Sequence, residues 1–191
     1  MSKPSGTESL SHNAATLENL FFAKKDAKLL SIRRAEQTLE QRKAALQEFT
    51  SFSTETINEL VENGIDQHTL KAVSLIPLLA VAWADHHLDQ KETKSILRAA
   101  HAEGIDDGSD EYELLEHWLN EEPEPSLFQA WKHLIAESVQ KLSAEEAQSL
   151  ESQVLKLTQR VAEAAGGLLG FASVSDEENG VLQEIKGAFS V

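Results

Sequence analysis

Apolar residues along this chain recur at intervals of three and four, and strict apolar/polar alternation is nearly absent. The pattern predicts an all-α fold in which helices bury one stripe each. The first element is a long amphipathic helix over 16–48, with Leu17, Leu20, Phe21, Ile32, Leu39 and Leu46 among its apolar positions. A short helix over 54–62 stops at Gly64, a residue suited to the left-handed conformation that closes helices. Further helices are expected over 67–84, 90–102, 110–120, 126–141, 144–165 and 176–189. Start signals accompany several of them. Ser109 precedes one helix, and Ser143 with Glu146 has the spacing of a capping box. The Glu121–Pro125 stretch breaks the pattern before the next helix. The run Ala72–Ala84 is interrupted only by Ser74 and carries Pro77, which reads as a buried helix kinked or restarted at the proline.

Three segments follow from this pattern. Residues 1–14 read as disordered. Residues 15–50 form a helical arm for docking or dimerisation, and residues 51–191 form the main helical domain. A helix over 16–48 would be about 50 Å long, against a body about 40 Å across. It must lie over that body and overhang it, break, or pair with a second copy. Ile32, Leu39 and Leu46 recur at seven-residue steps, but Ala35 and Arg42 interrupt a coiled-coil seam.

Charge divides along the same boundary. The 191 residues carry 17 Lys+Arg and 32 Asp+Glu, a net charge of -15. Residues 1–50 hold eight basic and six acidic residues, a local +2. Residues 51–191 hold nine basic and 26 acidic residues, a local -17. So acidic a body repels a phosphate backbone, and no nucleic-acid partner is expected. The first residues lack the apolar core of an export signal, and no apolar run approaches the roughly 20 residues that span a bilayer. A cytoplasmic address and no membrane contact are expected. With no cysteine, any metal would be held by oxygen and imidazole.

A repeat lies inside the main domain. Val81-Ala82-Trp83-Ala84-Asp85-His86-His87 aligns with Val161-Ala162-Glu163-Ala164-Ala165-Gly166-Gly167 at an offset of eighty residues. After six extra residues in the second copy, Leu88-Asp89-Gln90-Lys91-Glu92 aligns with Val174-Ser175-Asp176-Glu177-Glu178. Each copy reads as a helix end, a loop, an aliphatic residue and the first turn of the next helix. Two related helix–loop–helix units in one bundle are the expectation.

The first copy supplies Ala82-Trp83-Ala84-Asp85, Leu88, Asp89 and Glu92. The second continues through Leu168-Leu169-Gly170-Phe171 to Val174-Ser175-Asp176-Glu177-Glu178. In this order they resemble the tellurite-resistance TerB-like family over about residues 66–189. That resemblance implies an all-helical, non-enzymatic domain, linked in some relatives to chemical stress and to divalent metal at acidic positions. His86 stands where the family has Gly, and Ala165 where the second copy would have Asp, so a symmetric pair of acidic sites is not expected.

Asp85, His86, Asp89 and Glu92 are therefore the candidate metal ligands, with His87 beside them. Carboxylates suit Ca²⁺ or Mg²⁺, and mixed carboxylate and imidazole sets suit Mn²⁺ or Zn²⁺. The competing reading is structural: Asp89 and Glu92, like Ser175 and Glu178, have capping-box spacing. Asp85 is what capping leaves unexplained, since a carboxylate opposes the dipole at a helix C-terminus. His86 in turn suits a left-handed backbone position. Trp83 is expected in the core, and His117 and His133 at the core edge beside Trp118 and Trp131. No nucleophile elbow, phosphate loop or zinc-hydrolase motif occurs.

The resulting expectation is a cytoplasmic, stress-associated binding or scaffold module with no enzymatic activity. A protein partner would dock through the N-terminal helix or the Leu168–Phe171 loop, with one weak divalent-cation site possible chemically at Asp85–Glu92. The alternatives are an interaction protein forming homodimers through that helix, and a metal-dependent hydrolase.

Overall fold

The computed structural model describes residue 36, residues 38–165 and residues 174–190. The segment 1–14, most of the helix expected over 16–48, and the Leu168–Phe171 loop lie outside the described residues. Every regular element described is helical. The chain divides into two compact units, Met1–Arg42 and Lys43–Val191. Of the first, the described residues are helical. Residues 38–49 carry helix α1, on which Leu46 is fully buried.

The larger unit contains α2 (Thr54–Glu62), a 3₁₀ segment (Leu70–Leu75), α3 (Ile76–Ala82), α4 (Gln90–Ala102), α5 (Asp110–Asn120), α6 (Pro125–Val139), α7 (Ala144–Ala165) and α8 (Asp176–Ala188). Helix α7 packs against α3, α4 and α8, while α6 packs against α2, α3 and α8. The short α3 thus lies at the centre. Ile76, Leu78, Leu79 and Val81 are each at most 1% exposed, so this helix is buried along all but its Ala80 position.

Local chemistry accounts for the boundaries. Ser53 and Ser109 accept hydrogen bonds from the amides of Thr56 and Tyr112, starting α2 and α5. Ser143 and Glu146 bond reciprocally at the start of α7. Helices α2 and α4 end alike. The Ile65 amide donates to the Leu60 carbonyl at 2.9 Å and that of Gly64 to Val61 at 3.1 Å; Ile105 and Gly104 repeat the pattern on Ala100 and His101. Gly64 (φ 87°) and Gly104 (φ 73°) supply the left-handed residue, and Ile65 and Ile105 are buried behind them.

The expected helix over 67–84 is two elements. Pro77 sits in the first turn of α3, where its missing N–H costs no bond, and a tighter 3₁₀ segment leads into it. Trp83 is half-buried rather than fully in the core, because it closes α3 and turns its indole N–H to the Trp118 carbonyl at 3.0 Å. His117 and His133 are also corrected: both are exposed. Residues one and two positions from Trp118 and Trp131 point about 100° and 200° away from the buried face. His133 instead meets Glu59 at 2.7 Å.

Candidate functional site

The Asp85–Glu92 loop joins α3 to α4, and its backbone geometry determines what each side chain does. His86 has φ 62°, the one positive value at a non-glycine residue among those described. Holding it there are two bonds. The Asp85 Oδ1 atom accepts from the His87 amide at 2.9 Å, and the His86 amide donates to the Trp83 carbonyl at 2.9 Å. The first is an Asx-type turn, in which a short carboxylate substitutes for a backbone acceptor. Asp85 therefore has a structural role that capping arguments did not supply. The His86 ring turns outward, with Nδ1 2.8 Å from Glu122 Oε1.

At the start of α4, Asp89 Oδ1 accepts from the amides of Lys91 (2.6 Å) and Glu92 (2.8 Å), and Glu92 Oε2 accepts from the Asp89 amide at 2.8 Å. Both halves of the capping box are made. Helix α8 begins in the same way: the Glu178 amide donates to Ser175 Oγ at 3.0 Å, and the Ser175 amide to Glu178 Oε2 at 2.6 Å. The pairs aligned in sequence thus occupy identical capping positions.

Glu92 differs from an ordinary capping residue in its burial. It is 3% exposed, and Glu178 is 8% exposed. Burial pushes the Glu92 carboxyl up from 4.5 to about 7, outweighing the Asp89 amide, which favours the anion. The charges of Asp89, Glu178 and Asp85 push in the same direction as burial. Near neutral pH this group is poised to carry a proton.

Ligand geometry for a metal is a stricter requirement than proximity. Among the described residues, no group of three or more His, Asp or Glu side chains is placed to hold a metal ion. Asp85 Oδ1, Asp89 Oδ1 and Glu92 Oε2 each face a backbone N–H, and His86 faces Glu122. In this conformation the four candidate ligands do not converge as a coordination shell.

The sequence reading missed two features. Glu137 on α6 accepts from the Ser53 amide and from the hydroxyls of Ser53 and Thr56, clamping the start of α2 across 84 residues of sequence. Burial pushes the Glu137 carboxyl up, but these hydrogen bonds and the Lys141 charge outweigh it and hold it below its ordinary value. The second is a groove of about 580 Å³ between α4 and α7, walled by Lys91, Lys94, Arg98 and Arg160. On α4 the spacing of these cations is visible in sequence, but their convergence with Arg160 depends on packing.

Between α3, α6 and α8 lies a smaller hollow of about 210 Å³, lined mainly by apolar side chains such as Leu79, Trp83 and Phe128. Of its glutamates, Glu122 meets His86 and Glu184 meets Lys132 at 2.9 Å. No described helix is long and apolar enough to cross a membrane. No family model, curated protein or solved structure matches the chain.

Proposed function

We propose that this chain is a TerB-like, non-catalytic binding module of two related helix–loop–helix units, acting as a cytoplasmic, stress-associated scaffold for a partner protein. The observation that carries the reading is the matched pair of capping boxes. Asp89 and Glu92 start α4 as Ser175 and Glu178 start α8, and both glutamates are buried. Duplicated units that spend their corresponding polar groups on helix starts have been fitted for stability, leaving exposed helix faces for recognition.

Cross-linking of the full chain in an extract of its source organism, followed by mass spectrometry, tests the reading. One protein partner in near-stoichiometric yield is the expected result. Turnover of a small molecule by the purified chain, with no protein cross-linked, would contradict it.

A second reading, a weak divalent-cation site at Asp85, His86, Asp89 and Glu92, draws support from one observation. Three carboxylate charges act together on buried Glu92, and a cation would relieve them as a proton does. Such an ion would have to displace that proton and recruit oxygens away from backbone amides.

A further inference from the structure

From the α4–α7 groove we infer a docking site for an acidic amphipathic helix of a partner protein, an inference that rests on the binding-module reading and names its surface. Residues 51–191 hold only nine basic residues against 26 acidic ones. Four of those nine, Lys91, Lys94, Arg98 and Arg160, wall this one groove, and among the described residues no carboxylate lines it. All four are exposed. None forms an ion pair among the described residues. Three of the other five body cations are engaged: Lys132 pairs with Glu184, Lys141 donates to the Ser51 carbonyl at 2.7 Å, and Lys71 donates to the Gly104 carbonyl at 3.4 Å. A concentration of unpaired positive charge on a strongly negative body selects for an anionic occupant and steers it.

The arrangement of charge narrows the occupant further. Lys91, Lys94 and Arg98 lie at i, i+3 and i+7 on α4, one exposed stripe about 10 Å long. Arg160 stands on the opposite wall, on α7. Charges in a row match a row of carboxylates at the same helical spacing better than they match a single small anion. The floor is apolar, formed by Leu78, Ala99, Leu157 and Val161. Ala99 and Leu157 are only half-buried, so apolar surface remains for a ligand to cover. An occupant with carboxylates along one edge and aliphatic side chains on the adjacent face satisfies both features.

Two other anionic occupants fit less well. A nucleic acid would extend beyond the groove onto the acidic body within about one Debye length, roughly 8–10 Å, and meet repulsion there. A second copy of this chain would offer α5, its most acidic helix. The largest apolar anchors of α5, Leu115 and Trp118, are already buried in its own core, which leaves only the half-buried Tyr112, Leu114 and Leu119 beside its charges to bind.

Fluorescence anisotropy with the full chain tests the site. The probe is a labelled synthetic peptide of about 18 residues, roughly 27 Å as a helix. It carries Glu along one edge and Leu on the adjacent face, and a scrambled peptide of equal composition serves as comparison. At about 0.1 M salt the patterned peptide should bind, and at about 1 M salt binding should be lost. The scrambled peptide, and the patterned one against Lys94→Glu or Arg98→Glu, should each bind at least about tenfold more weakly. Both side chains are exposed, so unchanged circular dichroism and melting confirm folding, and Lys94→Ala should give a smaller loss in the same direction.

Equal binding of patterned and scrambled peptides, or equal binding by the variants, would overturn the assignment. So would tighter binding of a single-stranded oligonucleotide, or concentration-dependent self-association that displaces the peptide. In the cross-linking experiment, Arg98→Glu that retains the partner would sink the groove while leaving the binding module standing; loss of any partner from the wild-type chain would sink the module itself.

Discussion

Glu92→Gln should stabilise the protein at pH 8, by on the order of 2–3 kcal/mol, and leave its stability near pH 4 almost unchanged. Both numbers follow from linkage. The folded chain holds the Glu92 carboxyl at about 7, against an ordinary value of 4.5. A folded value above the unfolded one means that the native state keeps a proton the unfolded chain has released. Stability from this group is therefore fully present below about 4.5 and is lost as pH rises through about 7. The difference corresponds to roughly 3 kcal/mol at alkaline pH, an upper figure because local relaxation and water entry soften burial.

Gln keeps the carbonyl oxygen that accepts the Asp89 amide, so the capping box survives. Its amide also brings donors where Asp85, Asp89 and Glu178 press on the buried carboxyl. Melting curves of both proteins between pH 4 and pH 8 check the expectation. The curves should converge at the acid end and separate by several degrees at the alkaline end, with the variant higher. A variant that melts lower at pH 8 would mean that the anion is bound productively there.

The opposite sign, and a larger size, is expected for Trp131→Ala. Trp131 is 2% exposed on α6, stacked against Phe128 with ring centroids 5.7 Å apart and edge-on to Phe189 at 6.3 Å. It therefore joins α6 to the end of the chain beyond α8. Truncation removes the buried indole and leaves a cavity that neighbouring helices can fill only in part, a loss of about 3–5 kcal/mol. For a domain of this size that lowers the melting temperature by about 10–15 °C. Denaturant unfolding should show a lower midpoint with an unchanged slope, since the surface exposed on unfolding is nearly the same. A shift below about 1 kcal/mol would mean that the α6–α8 contact contributes little to the core.

Elements whose limits are set by neighbours in sequence were legible before the structure. The starts of α4, α5, α7 and α8, and the glycine stops after α2 and α4, depend on side chains within four residues, and their positions follow from spacing. The 3₁₀ segment was not legible as such. Residues 70–75 have helical apolar spacing, and only the demand of Pro77 for a first-turn position separates them from α3. The exposure of His117 and His133 could have been read from their angular distance to the neighbouring tryptophans.

The candidate site was legible in its residues and not in their geometry. Asp89 and Glu92 were identifiable as a capping box from their spacing. The task of Asp85 depends on the left-handed backbone at His86. The unusual character of Glu92 depends first on its burial by helix packing and then on neighbouring charges, one of which, Glu178, sits 86 residues further along the chain. Long-range partners of this kind, like Glu137 with Ser53, are invisible to periodicity because they are created by helix packing.

Whether the acidic loop holds helices or a cation is decided most directly at the Glu92 carboxyl. Its ¹³Cδ chemical shift, assigned by its disappearance in Glu92→Gln, can be followed by NMR across pH in the full chain. A carboxyl held by the capping box should titrate near 7, with the same midpoint when millimolar Ca²⁺ or Mg²⁺ replaces Na⁺ at matched ionic strength. A midpoint displaced downward by about one pH unit or more by either ion, with the displacement lost in Asp85→Asn, would contradict the structural reading and place a cation among these carboxylates.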